Sequence, residues 1–265
     1  MRVLVTGGRG FLGGHVCGAL RDAGHEPIAL GRADGDLAEP GVAERLLGEH
    51  EPDAVVHLAA VMPGDDRLAQ NAPITALVAA ACAARGIPLF HGSTSSVYED
   101  ETPYAESKRA SEAAAGDATL LRFHFPYGPE QRRGAIPTML RQALAGEPIV
   151  VYRGWERSFC FARDAAEAVV LLVERGERGA WDVGRDDDLR SLEDVARVAR
   201  RVADVHDAPI EVVDPPPGSA LALSSFDVAP LRALGWRPQV DLEDGIARTL
   251  DWLRSTDPSL ASGAA

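Results

Sequence analysis

The chain has 265 residues, 46% of them hydrophobic and 25% charged, and carries a formal net charge of −13 from 27 basic and 40 acidic side chains. This describes an ordinary globular protein of one large domain, or one domain with a smaller lobe. The acidic balance argues against nucleic acid or an anionic membrane as a general partner.

Cys17, Cys82 and Cys160 are scattered, without a CxxC or Cys/His cluster, so neither a disulfide framework nor a metal site is expected. No apolar stretch approaches the length of a membrane span. The first residues run straight into a strand without the pattern of a signal peptide, so a cytoplasmic location is expected.

Arg2–Thr6 predicts the first strand. Gly7-Gly8-Arg9-Gly10-Phe11-Leu12-Gly13 follows, and Val16, Leu20 and Ala23 then recur at helical spacing until Gly24. Strand, glycine-rich turn and helix together predict a dinucleotide site. Gly7 permits the turn, Gly10 lets a pyrophosphate approach, and Gly13 allows close helix packing. The helix N-terminus at Phe11 and Leu12 attracts the anion.

A second strand, Pro27–Leu30, leads into Gly31-Arg32. Arg32, assisted by Arg9, offers a cation for a 2′-phosphate. NADP(H) is therefore favoured, with NAD(H) as the alternative, since Asp34 and Asp36 follow closely. Asp36 and Leu37 are placed to flank the adenine. Ala54–Leu58 predicts a third strand, and Leu58, Ala59 and Ala60 would let the cofactor lie close to the backbone. His57 reads as a packed histidine.

Among the 27 basic residues there is one lysine, Lys108, and it stands four residues after Tyr104, one of four tyrosines. Residues at i and i+4 share a helix face. An ammonium there would depress the phenol's pKa and reach a cofactor hydroxyl. Strand and helix signals alternate to about residue 125, which predicts an α/β, doubly wound parallel sheet. Beyond it, Pro126, Pro129, Pro137, Pro148 and Pro215-Pro216-Pro217 predict an irregular smaller lobe. Residues 1–125 and about 161–182 are assigned to the nucleotide domain. Residues 126–160 and 183–254 are assigned to the lobe, and 255–265 to a frayed tail.

Together these motifs resemble the extended short-chain dehydrogenase/reductase family of nucleotide-sugar epimerases, dehydratases and reductases. The resemblance also rests on His57-Leu-Ala-Ala60, Asn71, Thr75, His91-Gly-Ser-Thr94-Ser-Ser-Val97-Tyr98, Tyr127-Gly-Pro129, Arg157-Ser-Phe159 and Leu234-Gly-Trp236. It implies a Rossmann domain and a catalytic set of Thr94, Tyr104 and Lys108, with serine neighbours of Thr94 as the one-residue alternative. Asn71 is expected beside the cofactor, where it anchors a water or serves as a helix cap or loop contact. Thr94, Ser95, Phe125, Arg132 and Arg157 are expected at the substrate.

Two departures shape the expected reaction. Ser95 and Ser96 stand where the family's dehydratases carry an acid pair. Phe125-Pro126 replaces an asparagine that often precedes Tyr-Gly-Pro. The leading expectation is an NADPH-dependent ketoreductase acting on a nucleotide-linked 4-keto-6-deoxyhexose. A nucleotide-sugar 4-epimerase is the alternative, and a non-catalytic dinucleotide-binding sensor is the second alternative. The small-residue runs Ala79-Ala80-Ala81 and Ala113-Ala114-Ala115, with the resemblance, suggest a homodimer.

Overall fold

The computed structural model describes residues 1–98, 101–215, 226–257 and 260. The first half alternates: β1 (Arg2–Thr6), α1 (Phe11–Asp22), β2 (Glu26–Leu30), α2 (Val42–His50), β3 (Ala54–His57), α3 (Asn71–Ala83), β4 (Leu89–Thr94), α4 (Pro103–Ala114) and β5 (Thr119–Phe123). Then follow β6 (Pro126–Tyr127), α5 (Ala135–Leu144), β7 (Ile149–Tyr152), β8 (Glu156–Ser158), β9 (Cys160–Phe161), α6 (Ala162–Arg175) and β10 (Ala180–Val183). The chain closes with β11 (Leu189–Ser191), α7 (Leu192–Val202), β12 (Ile210–Val213), α8 (Ala229–Ala233) and α9 (Leu242–Thr256).

Six strands form one parallel sheet in the order β2-β1-β3-β4-β5-β10. Helices cover both faces, which is why β3, Ala-Val-Val-His, is buried at every residue. On one face Val5, Val56, Phe90 and Leu121 pack against α1 and α6. On the other, Leu4, Val55 and Leu89 pack against α2 and α3. This is the doubly wound Rossmann arrangement expected from the alternating pattern.

The later chain builds a separate apolar cluster from Tyr127, Ile136, Leu140, Phe159, Leu192, Ile246 and Leu250. Among the described residues its strands join in pairs: β6 with β9, β7 with β12 and β8 with β11. Pro137 lies in the first turn of α5, where a missing N–H costs nothing. Pro216 and Pro217 lie outside the described residues.

Several expected boundaries are corrected. β2 begins at Glu26 and β3 ends at His57. Val183, assigned to the lobe, is the last residue of β10, because it pairs with Phe123. Leu231 and Trp236 were also assigned to the lobe but pack into the cluster beneath α1 and α6, with Trp236 Nε1 donating to Asp164 O at 3.0 Å. Ser255 and Thr256 belong to α9 rather than to a frayed tail, and their hydroxyls donate to Trp252 O at 2.8 Å. No helix among the described residues is long and apolar enough to cross a membrane.

Candidate active site

The strand order reverses between β1 and β3, and the crevice outside their carboxyl ends is where such sheets take ligands. The glycine turn lines it. Gly7 has φ +69°, and a Cβ there would lie 2.8 Å from Ala59 N. A Cβ on Gly13 would collide with Gly7 O. Gly8 carries an equal constraint that the sequence reading passed over, since a Cβ would lie 2.8 Å from Ala29 Cα.

α1 starts at Gly10 with no side-chain cap and no acid in its first turn. Its first N–H groups are thus left for an anion. Phe11, Leu12, Leu58, Ala59 and Ala60 are part-exposed around this turn. The residues present therefore fit a dinucleotide.

At the end of β2 the structure supplies a feature that spacing alone obscured. The Asp34 carboxylate accepts from Gly31 N at 2.8 Å and pairs with Arg9 Nη2 at 3.1 Å. The Gly31 N–H holds its pKa below the usual carboxylate range, and Arg9 adds to this. The short turn Arg32–Asp34 thus folds an acid back onto the end of the strand. Arg32 is exposed and forms no ion pair among the described residues. Asp36 is exposed and accepts from Ala38 N, while Leu37 packs against the cluster around Leu4 and Leu30.

The catalytic candidates gather where α4 crosses the end of β4. Thr102 caps α4, its hydroxyl accepting from Ala105 N at 3.2 Å, with Pro103 in the first turn. That start places Tyr104 and Lys108 on one face. Lys108 is 3% exposed, and its Nζ donates to Gly92 O at 2.6 Å. Burial pulls its pKa down to about 8, opposed by the negative charge of Glu112.

Tyr104 is half-buried, and burial pushes its phenol up to about 12. In this conformation the Lys108 ammonium is turned to the β4 carbonyl. Thr94 ends β4, its hydroxyl accepting from Ser96 N at 3.3 Å. Ser95 is buried, and its Oγ finds no partner among the described residues. Glu99 and Asp100 lie outside the described residues.

Asn71 is a loop contact. Its Oδ1 accepts from Val61 N at 2.7 Å, and its Nδ2 donates to Val61 O at 3.0 Å and Ser107 Oγ at 3.2 Å. Behind it lies a buried polar chain: Thr6 to His57 Nδ1 at 2.6 Å, Thr75 to Ser111 at 2.7 Å, and Ser111 to His91 Nε2 at 3.1 Å. The two imidazoles stack at 5.4 Å. Burial, then the charge of Lys108, pulls His57 down to about 3 and His91 well below its ordinary value. His57 is a packed residue, as expected.

The substrate-side candidates separate. Phe125 adopts φ +38° and packs against Phe159 at 5.7 Å. Arg157 is 1% exposed, with its guanidinium 4.3 Å from the Trp155 ring and 5.3 Å from Phe125, and with Nη1 donating to Glu156 O. It therefore serves as a packed support and is closed to a diphosphate in this conformation. Arg132 is exposed. The reading also missed Glu112, whose only sequence signal is its place four residues after Lys108. No group of three metal-ligating side chains occurs among the described residues.

Comparison with known proteins points the same way. A family profile described as NAD dependent epimerase/dehydratase family matches residues 3–184. The chain is 27% identical to a dTDP-glucose 4,6-dehydratase of Xanthomonas campestris pv. campestris, over 94% of this chain and 92% of that one. It is 28% identical to a UDP-glucose 4-epimerase of Azospirillum brasilense, over 100% and 95%. The solved UDP-glucose 4-epimerase of Thermus thermophilus, a complex with NAD, superposes with a TM-score of 0.83 at 26% identity, covering 96% of this chain and 99% of that one.

Proposed function

This chain belongs to the NAD dependent epimerase/dehydratase family, and we propose that it epimerises one carbinol carbon of a nucleotide-linked sugar with NAD(H) held in the crevice. The observation that carries this reading is the junction of α4 with β4. There Tyr104 and Lys108 share a helix face, and Lys108 is fixed to Gly92 O two residues before Thr94. In this reading Tyr104 gives or takes the proton on the substrate oxygen, and Thr94 holds that oxygen by hydrogen bonding. A bound nicotinamide dinucleotide supplies the hydride chemistry. Ser95 and Ser96 beside Thr94 supply no acid to expel water, so elimination is disfavoured. Exposed Arg132 is the cation offered to the substrate diphosphate.

NAD(H) replaces the NADP(H) expected from Arg32, because Asp34 puts a carboxylate at the end of β2 and engages Arg9. Arg32 was the sequence feature that favoured the reductase, and the Asp34 carboxylate at the same strand end favours NAD(H) instead. NADPH-dependent reduction of a 4-keto-6-deoxy sugar nucleotide remains the second reading, favoured by the exposed Arg32 guanidinium.

The test is to denature purified protein, identify any released nucleotide, and incubate the native protein with UDP- and dTDP-hexoses. Bound NAD and appearance of the C4 epimer by NMR are expected. Absence of trapped NAD, with NADPH consumed only by keto-sugars, overturns the epimerase in favour of the reductase.

A further inference from the structure

The catalytic face of α4 continues one turn past Lys108. Glu112 occupies the next i+4 position, so Tyr104, Lys108 and Glu112 form one stripe. Lys108 and Glu112 dock on consecutive residues of β4: Nζ on Gly92 O, and Glu112 Oε1 accepting from Ser93 Oγ at 2.5 Å. The next residue is Thr94. From β5, Arg122 grips the same carboxylate through Nε at 3.0 Å and Nη2 at 2.8 Å. The pair is largely withdrawn from solvent, with side-chain exposures of 21% and 11%.

We propose that Glu112, held by Arg122 and Ser93 one helical turn beyond Lys108 and out of direct contact with it, is a positioning residue whose charge keeps the catalytic lysine charged inside the protein. This builds on Lys108 as the partner of Tyr104. The charged and titratable groups around Lys108 come from each packed element. Glu112 and Tyr104 lie on α4, His57 on β3, His91 on β4 and Arg122 on β5. α3 offers only the neutral Thr75 and Asn71.

Of these, Glu112 alone is an anion. The imidazoles are held neutral by burial, and Arg122 is a second cation. Burial favours the uncharged amine and Glu112 opposes it. The arrangement thus has a direction: weakening the carboxylate releases the proton, while loosening Arg122's grip strengthens the hold on it.

The chain's single lysine makes this measurable without substrate. Protein grown with ε-labelled lysine should show one side-chain resonance, whose titration is that of Lys108. In Glu112→Gln, close in shape but uncharged, the midpoint should fall by about one pH unit or more. In Arg122→Gln, which frees the carboxylate without adding a second lysine, it should rise. Glu106→Gln, an exposed carboxylate on another face of α4, should leave it in place.

An unchanged midpoint in Glu112→Gln, or equal falls in Glu112→Gln and Glu106→Gln, overturns the proposal. If Glu112→Gln does not fold, Arg122→Gln decides, and a fall or no change there overturns it. Because the readout is charge rather than turnover, it fails independently of the proposed reaction.

Discussion

The two halves of the molecule are held together differently. The nucleotide half is one continuous parallel sheet, and the polar groups behind its site are buried and bonded to one another: Thr6, His57, Thr75, Ser111 and His91, with Lys108 and Glu112 beside them. The later half is assembled, among the described residues, from three separate strand pairs around a mainly aromatic and aliphatic cluster, with Arg157 enclosed by rings. The first arrangement fixes a geometry. The second fixes a volume and leaves its polar contacts to the rim.

Chemistry should therefore concentrate in the first half and recognition in the second. The largest effect expected is that of Tyr104→Phe, which should lower kcat about 10²- to 10⁴-fold while leaving cofactor affinity and the unfolding midpoint close to wild type. Arg132→Ala should raise KM with kcat nearly kept. If steady-state kinetics show both variants losing kcat alike, the division of labour between the halves is wrong.

The halves also differ in what surrounds their closest-packed glycines. In α1, a methyl on Gly13 meets backbone at Gly7. In α9, a methyl on Gly245 meets the Tyr127 hydroxyl, which is buried but lies at the end of a side chain. Backbone cannot retract, whereas a ring can tilt. Gly13→Ala should cost about 3 kcal/mol and abolish nucleotide binding. Gly245→Ala should cost about 1 kcal/mol, since helix propensity returns part of the loss. Denaturant titration of the two variants checks the order, and a reversal would mean that the turn is softer than the lobe.

Acid should separate the halves again. His57 has a folded pKa of about 3 against an unfolded value near 6.5, and His91 moves the same way. Below about 6.5 the unfolded chain binds protons that the folded one refuses. Stability is thus full above that pH and falls as pH drops toward 3, by about 1.4 kcal/mol per pH unit for each histidine. The lobe's His206 is exposed. Hydrogen exchange at pH 7, 6 and 5 should show β1, β3 and β4 losing protection before α5, α7 and α9. Loss in the opposite order would remove the buried histidines as the cause.

This difference in construction also explains what the chain revealed before folding. Gly7, Gly10 and Gly13 are legible because a turn that must pass close to Ala59 and Gly7 O tolerates no side chain. Tyr104 and Lys108 are legible because helix periodicity forces their common face. Asp34 was legible only as a nearby acid, since its proposed role depends on a short turn folding it back toward Gly31. The burial of Arg157 among Trp155 and Phe125 is a tertiary outcome that no local spacing encodes. Glu112 required knowing that β4 and β5 meet α4 from two sides.

The smallest expected effect tests the one place where the nucleotide half resembles the rim of the other. Arg9 is 56% exposed and Asp34 26%, so the pair is screened by solvent and adds little to stability. Its consequence is selectivity: the carboxylate suits a ribose hydroxyl and repels a 2′-phosphate, and it also occupies the nearest guanidinium. Asp34→Ala removes the repulsion and frees Arg9 beside the exposed Arg32. The ratio of NADP to NAD affinity should then rise by roughly tenfold, with the unfolding midpoint unchanged, and Arg9→Ala in that background should reverse the gain. Equal affinities before and after substitution would show that the adenosine end is read elsewhere, and would return Arg32 to the role that the linear sequence gave it.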